Sequence, residues 1–190
     1  MAAPTDPQTL TFDDAVQWQA WLADHHQRSS EVWLVIAKKG FETAGITIGE
    51  ALDAALCFGW IDSHRRGRDR GSYLQRYSPR RSKSPWSALN VERAEALIQD
   101  GRMQEAGRIE IAAAQADGRW TAAYEPQAKA SVPADVTAAF AQRPRAAEAF
   151  EQLSKSARYA LILPILKAVA PETRARRLQK AIETLEAQAL

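Results

Sequence analysis

Three observations predict an α+β fold. The run EVWLVIAKK, residues 31–39, is β-branched and apolar with charges at both ends, as a central strand requires. Two short extended runs, 60–65 and 72–78, flank the turn-rich RGRDRG and read as an antiparallel hairpin. From Ser87 onward apolar residues recur at helical spacing. The expected architecture is a small antiparallel sheet of about three strands surrounded by helices, with a helical C-terminal module.

In chain order, Thr11 opens the first helix, with Asp14 in a T-x-x-D capping box and Leu10 as a staple against Ala15. Ala15, Trp18 and Leu22 then share one stripe, which sends a tryptophan to the core. Gly40 ends the strand. A second capping box joins Thr47 to Glu50, with Ile46 as the staple, and Gly59 supplies the left-handed stop. After the hairpin, Val91, Ala94, Leu97 and Ile98 line a helix closed by Gly101, and residues 103–116 form the next. EPQAKASVPAD, 125–135, has two prolines and no periodicity and reads as a linker. Helices follow near 134–142, 145–153, 155–169 and 171–188; Pro164 should kink or break the third, and Pro171 suits the first turn of the fourth. The expected organisation is an α+β domain over 1–124, the linker, and a helical module over 136–190.

The chain of 190 residues is 46% hydrophobic with six tryptophans, which excludes a disordered protein. No apolar run approaches the roughly 20 residues of a membrane span. MAAPTDPQTL has neither a basic n-region nor an apolar h-region, and the single cysteine, Cys57, excludes an internal disulfide; both point to the cytoplasm. Formal charge is only +2, but its distribution is uneven. Residues 1–63 carry three Lys/Arg against nine Asp/Glu, residues 64–83 eight against one, and residues 84–190 fourteen against thirteen. The basic segment therefore meets an anionic partner or is neutralised by the acidic first third.

CFGWID (57–62), RYSPRRSKSPWSALNVERAEALIQDGRM (76–103) and APETRARRLQKAIETL (170–185) resemble the bacterial bacteriocin-protection family, also called YdeI or OmpD-associated, over about 30–188. The resemblance implies a compact α+β domain with a helical C-terminal module and no particular reaction. The chain departs from the family pattern at Ala168-Val169-Ala170, where a basic residue is usual before PETR, and at Pro164.

The basic segment has seven arginines to one lysine, and arginine is the residue that grips phosphate or carboxylate with two parallel hydrogen bonds. Strand alternation sends Leu74, Arg76 and Ser78 to one face and Tyr73, Gln75 and Tyr77 to the other, which leaves Arg76 with Arg80 and Arg81 as the tighter cluster. Pro79 and Pro85 stiffen the exit toward Trp86 and a helix N-terminus, a recipe for a small anion site. The expected ligand-binding residues are Arg76, Arg80, Arg81, Trp86 and Arg93, with Trp60 and Asp62 behind them. The competing bland reading has the arginines paired with the chain's own acids, Arg93 with Glu92 or Glu95, and Asp62 as counter-ion to Arg76 or Arg80.

Trp60, Asp62 and His64 would share a strand face, but a carboxylate among arginines should titrate low and make a poor base. Cys57 reads as a small core residue. His25 and His26 are adjacent and cannot both reach one metal from a helix, and no phosphate-loop, dinucleotide or serine-hydrolase motif is present. No cofactor or metal is expected. The leading reading is a non-enzymatic cytoplasmic protein that binds an anionic small molecule. Single-stranded nucleic-acid binding, with Trp60, Tyr73, Tyr77 and Trp86 as stacking rings, is the alternative, and an enzyme of unknown reaction ranks third.

Overall fold

The computed structural model describes residues 8–40 and 45–188. The described residues form four strands and eight helices, an α+β fold with one strand more than expected. The chain divides into two compact units, Met1–Ser84 with Glu92–Ala113, and Pro85–Val91 with Ala114–Leu190.

The first unit is built on a sheet of order β1-β2-β4-β3, from β1 (Thr9–Leu10), β2 (Val32–Ala37), β3 (Trp60–Gly67) and β4 (Ser72–Pro79). β1 runs parallel to β2, and the other pairings are antiparallel. The additional strand is β1, whose two residues are too few to show any alternation. It also moves the first helix. Leu10 pairs with Leu34 instead of stapling a helix, and α1 (Ala15–His25) starts after Asp14, whose carboxylate accepts from the Gln17 N–H at 2.9 Å. Asp14 is therefore the cap itself, three residues beyond the expected Thr11 start.

Register divides the sheet into two faces. Trp60, Asp62, Tyr77, Gln75, Tyr73, Val32, Leu34 and Ile36 lie on one; Ile61, Ser78, Arg76, Leu74, Trp33 and Val35 lie on the other. α1 packs on the first face through Trp18, which is fully buried with its ring 5.7 Å from Tyr77 and 6.5 Å from Trp60. The Trp18 indole N–H donates to Ala51 O of α2 (Ile48–Cys57) at 3.0 Å, so one side chain joins both helices to the sheet. The Thr47–Glu50 capping box forms as expected, and Gly59 ends the helical stretch at φ 72°.

α3 (Ala88–Gln99) and α4 (Glu105–Ala116) follow the hairpin. Within the first unit α4 approaches the end of α2 at Gly107, where a Cβ would lie 2.5 Å from Cys57 O and 2.7 Å from Leu56 O. In the second unit α5 (Ala134–Ala141), α6 (Pro144–Gln152), α7 (Lys155–Leu166) and α8 (Pro171–Gln188) enclose a core of Val136, Phe140, Phe150, Ile162, Ile165, Ile182 and Leu185. Pro164 sits in the last turn of α7, which ends at Leu166, and Pro171 opens α8. Among the described residues no helix is long and apolar enough to cross a membrane.

Of the atoms that a Cβ at Gly107 would meet, Met103 Sδ can swing aside, but the two backbone carbonyls cannot relax by a rotamer change. Gly107→Ala is expected to cost about 1–3 kcal/mol in urea denaturation. Gly67→Ala, in β3 with nothing within 4 Å of the added methyl, should stay within about 0.5 kcal/mol of the native chain.

Candidate functional site

The basic hairpin does not present its charges as simple alternation predicts. Asp62 pairs with Tyr77, but the next registered pair is Arg65 with Gln75, so β3 carries one extra residue against β4. This bulge reverses the facing of everything beyond it. Arg65 joins the face of Asp62, with its guanidinium 4.3 Å from the Tyr73 ring centroid and its Nε–H donating to Gln75 Oε1 at 3.3 Å. The other end of the buried Gln75 amide donates to His64 O at 3.2 Å, taking up a carbonyl that the bulge displaces from the ladder. His64 is left exposed.

A polar cluster results on the face that otherwise carries the core. Arg65, Arg80 and Arg93 all act electrostatically on the part-buried Asp62. Arg80, just beyond β4, is 6% exposed and its backbone N–H donates to Gly59 O. Arg93 of α3 donates from Nη1 to Asp53 Oδ1 of α2 at 2.7 Å, not to Glu92 or Glu95. The low titration expected for Asp62 is reversed: burial pushes its carboxyl above the ordinary value, against the pull of Arg65, Arg80 and Arg93. Desolvation also holds the Tyr77 hydroxyl far above its usual value, with the Asp62 charge adding to the effect. That hydroxyl is fully enclosed and has no hydrogen-bond partner among the described residues.

Arg76 goes elsewhere. On the opposite face its Nε–H donates to Glu31 Oε2 at 3.0 Å, its Nη2 also meets that oxygen, and Nη1 reaches Ser63 Oγ at 3.2 Å. Arg66 lies over the Trp33 ring on the same face, at 4.3 Å. Arg76 is thus paired by an acid of the first third, and Asp62 is not its counter-ion. Arg81 is exposed on a turn closed by Ser84 N–H to Arg81 O at 2.8 Å. Trp60 is a core residue, 1% exposed, its indole donating to His26 O at 3.2 Å. Trp86 belongs to the second unit, buried edge-on to Trp120 with centroids 4.9 Å apart. The following helix N-terminus is served by its own serine, since Ser87 Oγ accepts from the Asn90 N–H at 3.2 Å.

Of the expected residues, Asp62, Arg80 and Arg93 come together, and Arg76 does not join them. Arg65 was legible only as one arginine of the basic segment and Tyr77 only as a stacking ring, and Asp53 was not among the candidates. Arg65 depends on the bulge, and Asp53 on the meeting of two helices; neither has a local signature. Cys57 is a core residue as expected, its thiol pushed up to about 11 by burial. Among the described residues no group of three or more His, Cys, Asp or Glu could hold a metal ion.

Two family models match the chain. One, a domain of unknown function (DUF8412), covers residues 10–110 and so contains the whole polar cluster. The other, described as bacteriocin-protection, YdeI or OmpD-associated, covers residues 129–188 and bears out the family resemblance there. The CFGWID and RYSPRR segments fall in the first match, so the resemblance to the second family is narrower than the quoted motifs suggested. No curated protein and no solved structure matches the chain.

The two carboxylates on opposite sheet faces should respond oppositely to acid. Arg76 holds Glu31 below its ordinary 4.5, so the bridge contributes fully above that value and is lost as pH falls through the lowered one. Glu31→Gln should cost up to about 1 kcal/mol at neutral pH and progressively less as pH falls below 4.5. Asp62 is raised above 3.8, so its ionisation opposes folding at neutral pH and the opposition disappears below 3.8. Asp62→Asn should therefore be the more stable chain at neutral pH and equal to the native one near pH ~3. Denaturant midpoints at the two pH values test both signs.

Proposed function

The chain belongs, through residues 10–110, to the family defined by a domain of unknown function (DUF8412), and from that premise we propose that its first unit binds a small anionic molecule through the Arg65–Arg80–Arg93 cluster. The observation that carries this reading is three guanidinium groups gathered around one carboxyl that burial drives toward its neutral form. Asp53 fixes Arg93 in place, and a small anion is the ligand that such a gathering of guanidinium groups favours. Arg65 reaches the cluster already held by Gln75 and Tyr73, so little side-chain freedom remains to be lost on binding.

Arg68 and Arg70, exposed at the hairpin turn beside Asp69, favour nucleic acid as the second reading. Three of its four stacking rings are withdrawn, Trp60, Tyr77 and Trp86 being 1%, 0% and 2% exposed, and the part-buried Tyr73 ring already carries Arg65.

Calorimetric titration with inorganic phosphate, citrate and a short single-stranded oligonucleotide separates the readings. Phosphate or citrate should saturate one site. Arg65→Gln and Arg93→Gln should each weaken it by about ten- to hundredfold, with Arg81→Gln near native. Asp62→Asn should tighten binding, since it removes the competing negative charge. An Arg81→Gln loss equal to that of Arg93→Gln, or no response to either small anion, would refute the site. Oligonucleotide binding with a steep salt dependence, insensitive to Arg93→Gln, would favour the hairpin turn.

A further inference from the structure

The second unit contains a cleft of about 290 Å³ between α5 and α6. Val132, Phe140, Ala147 and Phe150 make its wall, the two phenyl rings tilted against each other at 4.9 Å between centroids. Such a volume, apolar with few polar groups, sits near the lower end of small-molecule pockets and is too small to seat a partner helix. Its margin holds two charged residues, Arg158 and Glu151.

The two differ in how they are held. Arg158, at the start of α7, is part-buried with its guanidinium carbon 5.4 Å from the Phe150 ring centroid. Its Nε–H donates to Leu153 O at 3.0 Å and Nη2 donates to Glu151 O, so two backbone carbonyls leaving α6 fix the plane. Three of the five guanidinium N–H groups remain. Among the described residues no carboxylate lies within ion-pairing distance of Arg158. The Glu151 side chain is exposed, and its charge is solvated and screened. The cleft thus joins an aromatic wall to one pre-positioned, part-desolvated cation.

We propose that this cleft is a second binding site, for a small amphipathic carboxylate whose apolar body packs on Phe140 and Phe150 and whose carboxylate meets Arg158. Charge complementarity selects the carboxylate. An amine of the same shape would bring a cation against the fixed guanidinium, and an alcohol would forgo the charge-assisted bond.

The full chain is titrated with octanoate, octanol and octylamine, and backbone amide shifts are followed by NMR. Octanoate should shift residues of α5 and α6 and bind at least about tenfold tighter than octanol, with octylamine weakest. Arg158→Gln should bring octanoate down to the octanol level and leave octanol unchanged. Because Arg158 also holds the end of α6, Ala147→Leu serves as the second variant: it fills the cleft, keeps the guanidinium, and should abolish binding of both. Arg93→Gln should leave octanoate binding native, which separates this site from the cluster in the first unit. Equal affinity for octanoate and octanol, an unchanged ratio in Arg158→Gln, native octanoate binding by Ala147→Leu, or no saturable binding would each overturn the proposal.

Discussion

The first unit depends on the burial of Trp60 at the start of β3. Its indole packs edge-on to Trp18 and Trp21 and donates to the end of α1, which commits that face of the hairpin to the core. Strand geometry then has a consequence two residues on, where Asp62 must point the same way. A carboxyl is drawn toward an apolar face because a tryptophan has to be there. Its raised titration follows from that placement, although arginines surround it.

The bulge after Asp62 supplies the compensation. In strict alternation Arg65 would face away from Asp62, beside Arg76. The extra residue turns it back, and the buried Gln75 amide both holds Arg65 and takes up the displaced carbonyl. The same shift separates two electrostatic systems. On one face Arg76 has a partner with two-point contact and Glu31 is a settled carboxylate. On the other, Arg65, Arg80 and Arg93 act on a part-buried carboxyl that burial holds above its ordinary titration. The bland reading of the basic hairpin is therefore realised on the face of Arg76 and Glu31.

The second unit solves a different packing problem. Four helices gather around phenyl and aliphatic side chains, and the residue that secures the end of α6 is an arginine, not a glycine. That choice places a cation beside an aromatic wall. The family models divide along the chain, one over the residues of the sheet and its polar cluster and the other over these helices.

Much of this was legible in sequence because the signals were local. The continuous apolar run of β2, the Thr47–Glu50 box, Gly59, the hairpin around RGRDRG and the proline that opens α8 each act through a few adjacent residues. Arg80, Arg93 and Asp62 could be named as candidates because charge and residue type are written in the chain. β1 could not be read, since two residues show no period, and with it went the true start of α1. The membership of the site was decided by contacts between distant segments: one inserted residue against β4 turned Arg65, Glu31 took Arg76 across the sheet, and α2 delivered Asp53 to Arg93. The sign of the Asp62 shift was decided there too, because the cost of burying a charge depends on what surrounds it in space, which composition and spacing do not specify.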